Sequence, residues 1–403
     1  MNAAKILIGA HILSMLGFAT FAALLPELRD LWGLSNTEAG LIASAFFAGY
    51  VATVSYWTAL TDRIDGRRVY LIGCLLATAG GVGFGLAADG LASGMLCHVL
   101  LGAGVAGTYM PGLRLLSDRT SGPSQSRYIA FYTSFFGIGT AISLALAGLL
   151  APAWGWRSAF LISAAGPVAA GLWVFFGIDG KTVEKKTEFS WKNLFPVAAW
   201  RKVVADRAAA GYTLGYVAHC VELFGSRGWM VAFLAYAAGR QAAGEAFPWN
   251  FAAIAALINL LAVPASIFGN EIALRIGRRQ WIQIAMFGSG ACGILLAFSG
   301  ALHWSIVVLL LIVYSMLVMA ESATLTAGLV AAAPAELRGA ALGLYSLAGF
   351  TGGMVGPSLF GLALDLAGGK LSPHAWAWGY AAIGAGCLAA PLVIRAFHRR
   401  ANA

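Results

Sequence analysis

Charged side chains are too scarce in this sequence for a protein that folds in water. Only 11% of the 403 residues are Asp, Glu, Lys or Arg, and 60% are hydrophobic. A typical soluble domain carries about 25% charged residues, because its whole surface faces water. The composition therefore excludes an ordinary soluble domain and predicts a protein that lies within the lipid bilayer.

The apolar residues fall into runs of the length that a helix needs to cross a bilayer, about 20 residues. Twelve such runs are bounded by charges, aromatic residues or Pro/Gly clusters, at 6–26, 38–60, 69–88, 93–115, 128–150, 158–177, 208–237, 249–273, 280–300, 304–328, 339–364 and 375–396. A long polar link separates six runs from six. We predict an all-α integral membrane protein with a six-helix bundle in 1–177, a cytoplasmic linker at 178–207 and a second six-helix bundle in 208–403.

The positive charges predict the orientation of these helices. If the amino terminus lies inside, most of the 26 Lys and Arg residues fall on inside links. The exceptions are Arg29, Arg157, Arg227, Arg240 and Lys370. Cytoplasmic links carry such an excess, so we expect both termini in the cytoplasm and the chain in a cell's inner membrane. Basic links near anionic headgroups also explain the net charge of +9 without nucleic acid as a partner.

The sequence shows no sign of a cofactor or a metal. All five cysteines fall inside apolar runs without zinc-ligand spacing, which indicates small packing residues. The nucleotide-binding motif G-x-x-x-x-G-K-[ST] does not occur. The amino terminus lacks a convincing cleavage site, so we interpret its apolar run as the first span and not as a signal peptide.

Two short basic links occupy equivalent places in the two halves. The link after the second run reads DRIDGRR over residues 62–68, and the link after the eighth reads RIGRR over residues 275–279. In this pattern the chain resembles the major facilitator superfamily, whose loop motif runs Gly, three residues, Asp, a basic residue, one residue, Gly and a basic cluster. Thr58 replaces the leading Gly, Asp65 lengthens the spacing by one residue, and Leu274 replaces the acid of the second copy.

Two other segments are similar to links of the same family. Residues 154–160, WGWRSAF, resemble its outer link before span 6, and residues 334–339, PAELRG, resemble its inner link before span 11. The resemblance covers essentially the whole chain. It implies a secondary transporter made of two pseudo-symmetric six-helix repeats with a binding site between them.

The paired basic links have two interpretations. Their acid and arginines could pair with each other and with helix ends, and so form a gate that opens and closes. A glycine would allow the tight turn. The alternative is that the arginines only anchor the links on the inside. The candidate gating residues are Asp62, Arg63, Gly66, Arg67, Arg68, Arg275, Gly277, Arg278 and Arg279.

The seventh run contains polar residues at helical spacing. Tyr212, Tyr216, His219 and Glu222 lie close to one helical face. Ionisable groups within spans are costly and mark functional sites. We predict that this face looks into a central cavity and that His219 hydrogen-bonds to Glu222 and prepares it for proton exchange. The alternative is a buried pair that only fixes helix packing.

Four more ionisable residues lie within runs or at their ends. Glu321 could be a proton or cation site, or it could pair with an arginine of the inner gate. His98 begins a segment, HVLLGAG, that resembles a family motif implicated in proton coupling; the family has arginine there, and a packing role is the alternative. Arg114 follows Pro111 and Gly112 and could bind an anionic substrate or reach the surface. Arg227 could pair with a carboxylate or reach the outer interface.

Two weaker patterns bear on the substrate. His11 and Met15 are one turn apart and could bind a soft metal, but methionine at this spacing ordinarily packs in a core, so we expect no metal. The fifth run has no Gly-Pro pair, which the family's proton-driven drug exporters usually carry. Its absence lowers the export hypothesis without excluding it.

These features predict a monomeric secondary active transporter that works by alternating access and is driven by protons. We favour uptake of a small polar or anionic metabolite; the alternative is a proton-driven exporter of hydrophobic, drug-like compounds. A membrane enzyme is disfavoured because the links are too short for a catalytic site. A channel or sensor is the third possibility, and it would show no saturation or gradient coupling.

Overall fold

A computed structural model describes residues 3–180, 194–242 and 246–399. Within these ranges the chain consists of α-helices, two short 3₁₀ helices and connecting turns, and it contains no strand. The predicted all-α fold class is confirmed. Residues 181–193 of the predicted linker at 178–207 and residues 243–245 of the link before residue 249 lie outside the described residues.

Between residues 3 and 180, the structure describes seven α-helices. They are α1 (Ala3–Ser14), α2 (Thr20–Leu31), α3 (Asn36–Leu60), α4 (Gly66–Ala87), α5 (Leu91–Ser117), α6 (Pro123–Ser163) and α7 (Ala165–Gly177). A short helix, α8 (Val197–Ala205), precedes the second half.

The second half contains another seven α-helices. They are α9 (Arg207–Ala238), α10 (Phe251–Ile276), α11 (Arg278–Phe298), α12 (Trp304–Ala320), α13 (Ser322–Ala332), α14 (Arg338–Leu366) and α15 (Pro373–Arg399). The 3₁₀ helices are Ser299–Ala301 and Ala335–Leu337.

Eight helical stretches of the described chain are long and apolar enough to cross a membrane. One of them, Arg127–Gly177, has 51 residues. Gly155 interrupts it with a φ of 81°, outside the helical region. A helix rises about 1.5 Å per residue and a bilayer core is about 30 Å thick, so this stretch is long enough for the two spans predicted there. The chain is a multi-pass membrane protein, and the count of twelve spans stays a prediction.

Three predicted spans are not continuous helices. The span at 6–26 is divided between α1 and α2 by a turn at residues 15–19. The span at 158–177 is divided at Ala164, between α6 and α7. The run at 304–328 is divided at Glu321, which separates α12 from α13. Irregular backbone at membrane depth is tolerated where protein buries it, and Glu321 is fully buried.

The contacts of the chain divide it into two compact units. The first comprises Met1–Leu24 and Ala45–Phe195, and the second comprises Leu25–Ser44 and Pro196–Ala403. The segment Leu25–Ser44, which contains the end of α2 and the start of α3, therefore groups with the carboxyl-terminal helices. The predicted domain boundaries at 177 and 208 stay predictions.

Candidate functional site

A cluster of buried polar side chains lies inside the second unit. His219 and Glu222 of α9 are 0% and 1% exposed, and Glu321, between α12 and α13, is 0% exposed. The spacing of three residues places the two α9 side chains on one face of the helix. The break at Glu321 brings a third ionisable group to that face. We call His219, Glu222 and Glu321 the buried carboxylate cluster.

His219 is bonded to a different carboxylate from the one predicted. Its Nδ1 lies 3.1 Å from Glu321 Oε1. The predicted hydrogen bond to Glu222 is wrong, because the sequence pattern covers only neighbours on the same helix and Glu321 is 102 residues away. The alternative interpretation of Glu321 is an ion pair with an arginine of the inner gate. No arginine among the described residues forms such a pair with Glu321.

Glu222 is held by two hydroxyl donors from other helices. Ser289 of α11 donates to Oε2 at 2.9 Å, and Tyr314 of α12 donates to Oε1 at 3.2 Å. Hydrogen bonds to a buried carboxyl group offset part of the cost of removing it from water. Four segments of the second unit therefore fix the position of this cluster.

The two carboxylates are close neighbours. Ligand atoms of Glu222, Glu321 and Cys387 all lie within 4.8 Å of one another. Three such groups could in principle hold a metal ion. Carboxylates prefer hard cations and a thiolate prefers soft ones, and only a borderline cation such as Zn²⁺ accepts both kinds of ligand. Proton exchange is the chemistry that the pair of carboxylates supports best.

Of the two tyrosines predicted on this face of α9, Tyr216 contacts the buried carboxylate cluster and Tyr212 packs elsewhere. Tyr216 stacks on Tyr345 of α14, with ring centres 3.8 Å apart and planes inclined by 9°. It also stacks on His219 at 5.7 Å. Tyr212 is buried and packs closely against Gly328 of α13. Tyr216 thus lies at the cluster, whereas Tyr212 packs one turn away.

In the first unit, Arg114 forms an ion pair with the basic link that follows α3. Its guanidinium donates to Asp62, with Thr61 Oγ1 at 3.0 Å and Asp118 at 3.8 Å. These contacts place Arg114 with the gating candidates and leave it less available to a substrate. An acid–arginine pair at the predicted gate is therefore present.

Glycine has different roles in the two basic links. Gly277 joins α10 to α11 with a φ of 97°, a conformation that favours glycine. Gly66 instead begins α4 without a positive φ, because the extra Asp65 accepts a hydrogen bond from the Arg67 amide at 3.0 Å and caps the helix. A glycine conformation is therefore needed at the turn of the second link, whereas Gly66 of the first link adopts none, and the role of both links as a gate stays a prediction.

Half of the six arginines in the links are exposed at the surface. Arg67 bonds to the Phe175 carbonyl and lies 4.7 Å from the centre of its ring. Arg63 and Arg278 are half-buried. The exposed members are Arg68, Arg275 and Arg279.

Two histidines of the first unit have aromatic surroundings. His98 is 3% exposed and lies 5.1 Å from the ring of Phe21 and 5.0 Å from that of Phe84. His11 stacks on Tyr132 at 4.3 Å. These contacts favour the packing alternative for His98, and its proton role stays a prediction.

Two other carboxylates, those of Asp30 and Asp365, form hydrogen bonds that involve the segment Leu25–Ser44 of the second unit. Asp365, near the end of α14, accepts bonds from the backbone and side chains of Asn36 and Thr37 at 2.6–3.2 Å. Asp30 accepts from Lys370 and from Arg29. Partial burial opposes ionisation of Asp30, but the bond from Lys370 and the charge of Arg29 outweigh it and lower the pKa of Asp30.

We expect Asp365→Ala to loosen the start of α3. Asp365 bonds the Asn36 and Thr37 amides as an N-cap side chain does, and loss of a cap costs about 0.5–2 kcal/mol. Hydrogen exchange at these two amides, followed by mass spectrometry, should accelerate. Asp89→Ala, which removes a carboxylate bonded only to Ser93, is the control and should leave this peptide unchanged. Equal exchange in the two variants would contradict the capping role.

The helices and the buried carboxylate cluster define a multi-pass membrane transporter. A family model described as Major Facilitator Superfamily matches residues 7–357. The chain belongs to the Major Facilitator Superfamily, which confirms the resemblance found in the sequence. Because this family and the relatives below are transporters, the prediction of a non-enzyme is also confirmed.

Named relatives match parts of the chain. Multidrug resistance protein Stp of Mycobacterium tuberculosis is 29% identical over 140 residues, which cover 34% of this chain and 26% of the relative. A voltage-gated purine nucleotide uniporter of Rattus norvegicus is 26% identical over 276 residues, covering 61% and 55%. The chain thus spans less than two thirds of either relative's length.

A solved structure resembles the entire fold. The inward-facing, occupied crystal structure of a bacterial homologue of the human lysosomal transporter Spinster has a TM-score of 0.76 at 16% identity. The match covers 99% of this chain and 96% of that one. At this identity the likeness concerns the fold alone.

Sequence reasoning missed several members of the site. Ser289, Tyr314 and Cys387 contact the cluster, and Tyr345 stacks on Tyr216 beside it, but each lies alone in an apolar run. A single hydroxyl or thiol in such a run gives no periodic signal. Only the tertiary packing of α9 with α11, α12, α14 and α15 brings them together.

Proposed function

We propose that this chain is a secondary active transporter that moves a small solute by alternating access and couples this movement to protons. The observation that carries the proposal is the pair of Glu222 and Glu321, buried side by side in membrane helices. Two like charges at this distance and depth cannot both be ionised at an acceptable cost. The pair therefore retains a proton that it can exchange when one side opens to water.

The hydrogen bonds suggest how each carboxyl group contributes. Glu321 shares a hydrogen bond with His219. A neutral His219 imidazole can accept the proton that Glu321 releases. Glu222 is fixed by Ser289 and Tyr314. Neutralising a buried carboxylate removes a desolvation cost of several kcal/mol, which is enough to favour one conformation over another.

Direction and substrate class form the finer part of the proposal. We favour uptake of a small polar or anionic metabolite, because the second unit provides buried polar groups and the uniporter relative is named for a nucleotide, an anion. The basic links indicate an inner-membrane protein with both termini in the cytoplasm. We further propose that it acts as a monomer, since the buried carboxylate cluster is formed by residues of a single chain.

A second candidate is export of hydrophobic compounds. Phe18 lies 4.9–6.2 Å, ring centre to ring centre, from Phe46, Phe47 and Phe136 in the first unit. Such a group of rings suits an apolar ligand, and Stp is named for multidrug resistance. A hydrophobic cargo with antiport of protons is therefore the alternative.

Transport in proteoliposomes tests the proposal. The purified chain is reconstituted, and uptake of pooled radiolabelled metabolites is measured with a proton gradient, with a sodium gradient and with neither. We expect saturable accumulation that requires the proton gradient. Flux without saturation or gradient dependence would reject a secondary transporter, and accumulation driven by sodium alone would reject proton coupling.

A further inference from the structure

Arg227 is a cation within a membrane helix, and it has no carboxylate partner among the described residues. It lies in α9, eight residues after His219, and is half-buried. The ion pairs of the described residues do not include it. Its Nη2 lies 3.4 Å from the Met319 sulfur, a weak acceptor, whereas a guanidinium carries five donors. The charge is therefore not neutralised by the protein around it.

The direction of the side chain separates the two interpretations of Arg227. An arginine that reaches an interface extends toward the nearer end of its helix, here the carboxyl end of α9. The Cα–Cβ bonds of a helix tilt toward its amino terminus, and the Arg227 guanidinium contacts the sulfur of Met319 in α12. Met319 is two residues before Glu321, which bonds His219 about two turns earlier on α9. The guanidinium thus points back toward the buried carboxylate cluster.

We propose that Arg227 is a substrate-binding residue that recognises an oxyanion, a carboxylate or phosphate group of the transported solute. A charged side chain inside the bilayer requires a counter-charge. A planar guanidinium binds carboxylate and phosphate through two parallel hydrogen bonds. This inference rests on the proposed transport function and specifies its substrate class. Proton exchange at Glu222 and Glu321 would then occur beside the bound anion and balance its charge.

Equilibrium binding tests Arg227 without any gradient. The full chain in detergent is titrated with two matched pairs, nicotinate against nicotinamide and AMP against adenosine, and thermal unfolding reports binding. We expect one acid to bind at least tenfold more tightly than its neutral counterpart. A preference for nicotinate would indicate a carboxylate as the bound group, and a preference for AMP would indicate a phosphate. Arg227→Gln should weaken that acid about 100-fold and remove the preference. Arg227→Lys should retain part of the preference for the acid, because lysine keeps the positive charge but lacks the two parallel donors of the guanidinium.

Arg240→Gln is the matched control, because Arg240 is exposed near the end of α9 and stacks on Tyr236. It should retain the preference for the acid. No preference in the wild type, or the same preference in Arg227→Gln, would overturn the inference. If Arg227→Gln does not fold, Arg227→Lys decides, since a purely structural charge would leave its affinity for the acid unchanged.

The outcomes also separate this inference from the proposed function. Binding of an acid through Arg227 without gradient-driven accumulation in proteoliposomes would support the inference and reject proton-coupled transport. Accumulation of neutral solutes only, driven by the proton gradient, would support proton-coupled transport and reject the role of Arg227 in binding an anion.

Discussion

Glu222→Gln is expected to abolish uphill transport and leave the protein folded. Glutamine has nearly the same shape and its carbonyl oxygen still accepts from Ser289 or Tyr314, but it cannot exchange a proton. For a solute that the wild type accumulates, uptake driven by the proton gradient should fall to the background of empty vesicles. Exchange of labelled for unlabelled solute, which needs no net proton movement, should remain. Thermal unfolding of the purified variant checks that it is folded.

Two further variants define what this result means. Glu336→Gln makes the same chemical change at an exposed position and should accumulate solute as the wild type does. Glu321→Gln should resemble Glu222→Gln, and the double variant should be no worse than either, because residues that act as one unit are not additive. Unchanged uphill transport in Glu222→Gln would remove this residue from the coupling mechanism and leave it a packing role.

The location of the membrane helices could be predicted because hydrophobicity acts locally. A span of about 20 apolar residues is a continuous signal, and the predicted runs at 93–115 and 339–364 fall within α5 and α14. The break at Glu321 gave no such signal. Its neighbours are apolar or small, and the buried partners that stabilise it come from distant parts of the chain.

The identity of the important residues was easier to predict than their pairing. A glutamate or histidine in an apolar run is conspicuous by its cost, which singled out His219, Glu222 and Glu321. Their hydrogen bonds depend on how α9 packs against α11 and α12, and no spacing within one helix encodes that packing. Arg114 illustrates the same limit, since its bond to Asp62 joins the end of α5 to the link after α3.

Close helix contacts connect the fold to the site at Gly269. This residue of α10 packs against the backbone of Ala320, the last residue of α12, and an added Cβ would overlap the Ala320 carbonyl oxygen. Gly102 of α5 meets the carbonyl of Phe46 in α3 in the same way. Small residues allow backbones to approach in membrane proteins. At Gly269 the approach also fixes the position of Glu321, which follows Ala320 directly.

We therefore expect Gly269→Ala to destabilise the protein and uncouple it. The backbone oxygen cannot move aside as a flexible side chain can, so α10 and α12 must separate, at a cost of about 1–3 kcal/mol for overpacking. The shift would displace Glu321 from His219. The midpoint of thermal unfolding should fall, and accumulation driven by the proton gradient should fall with it.

Gly343→Ala provides the matched control for this prediction. An added Cβ at Gly343, within α14, has no heavy atom within 4 Å, and alanine in a helix is about 1 kcal/mol more favourable than glycine. Its unfolding midpoint should equal or exceed that of the wild type, with transport unchanged. If Gly269→Ala matched Gly343→Ala in both measurements, the contact between α10 and α12 would not hold the carboxylate cluster in place. If only the midpoint fell and uphill transport persisted, packing at Gly269 would stabilise the helices without positioning Glu321.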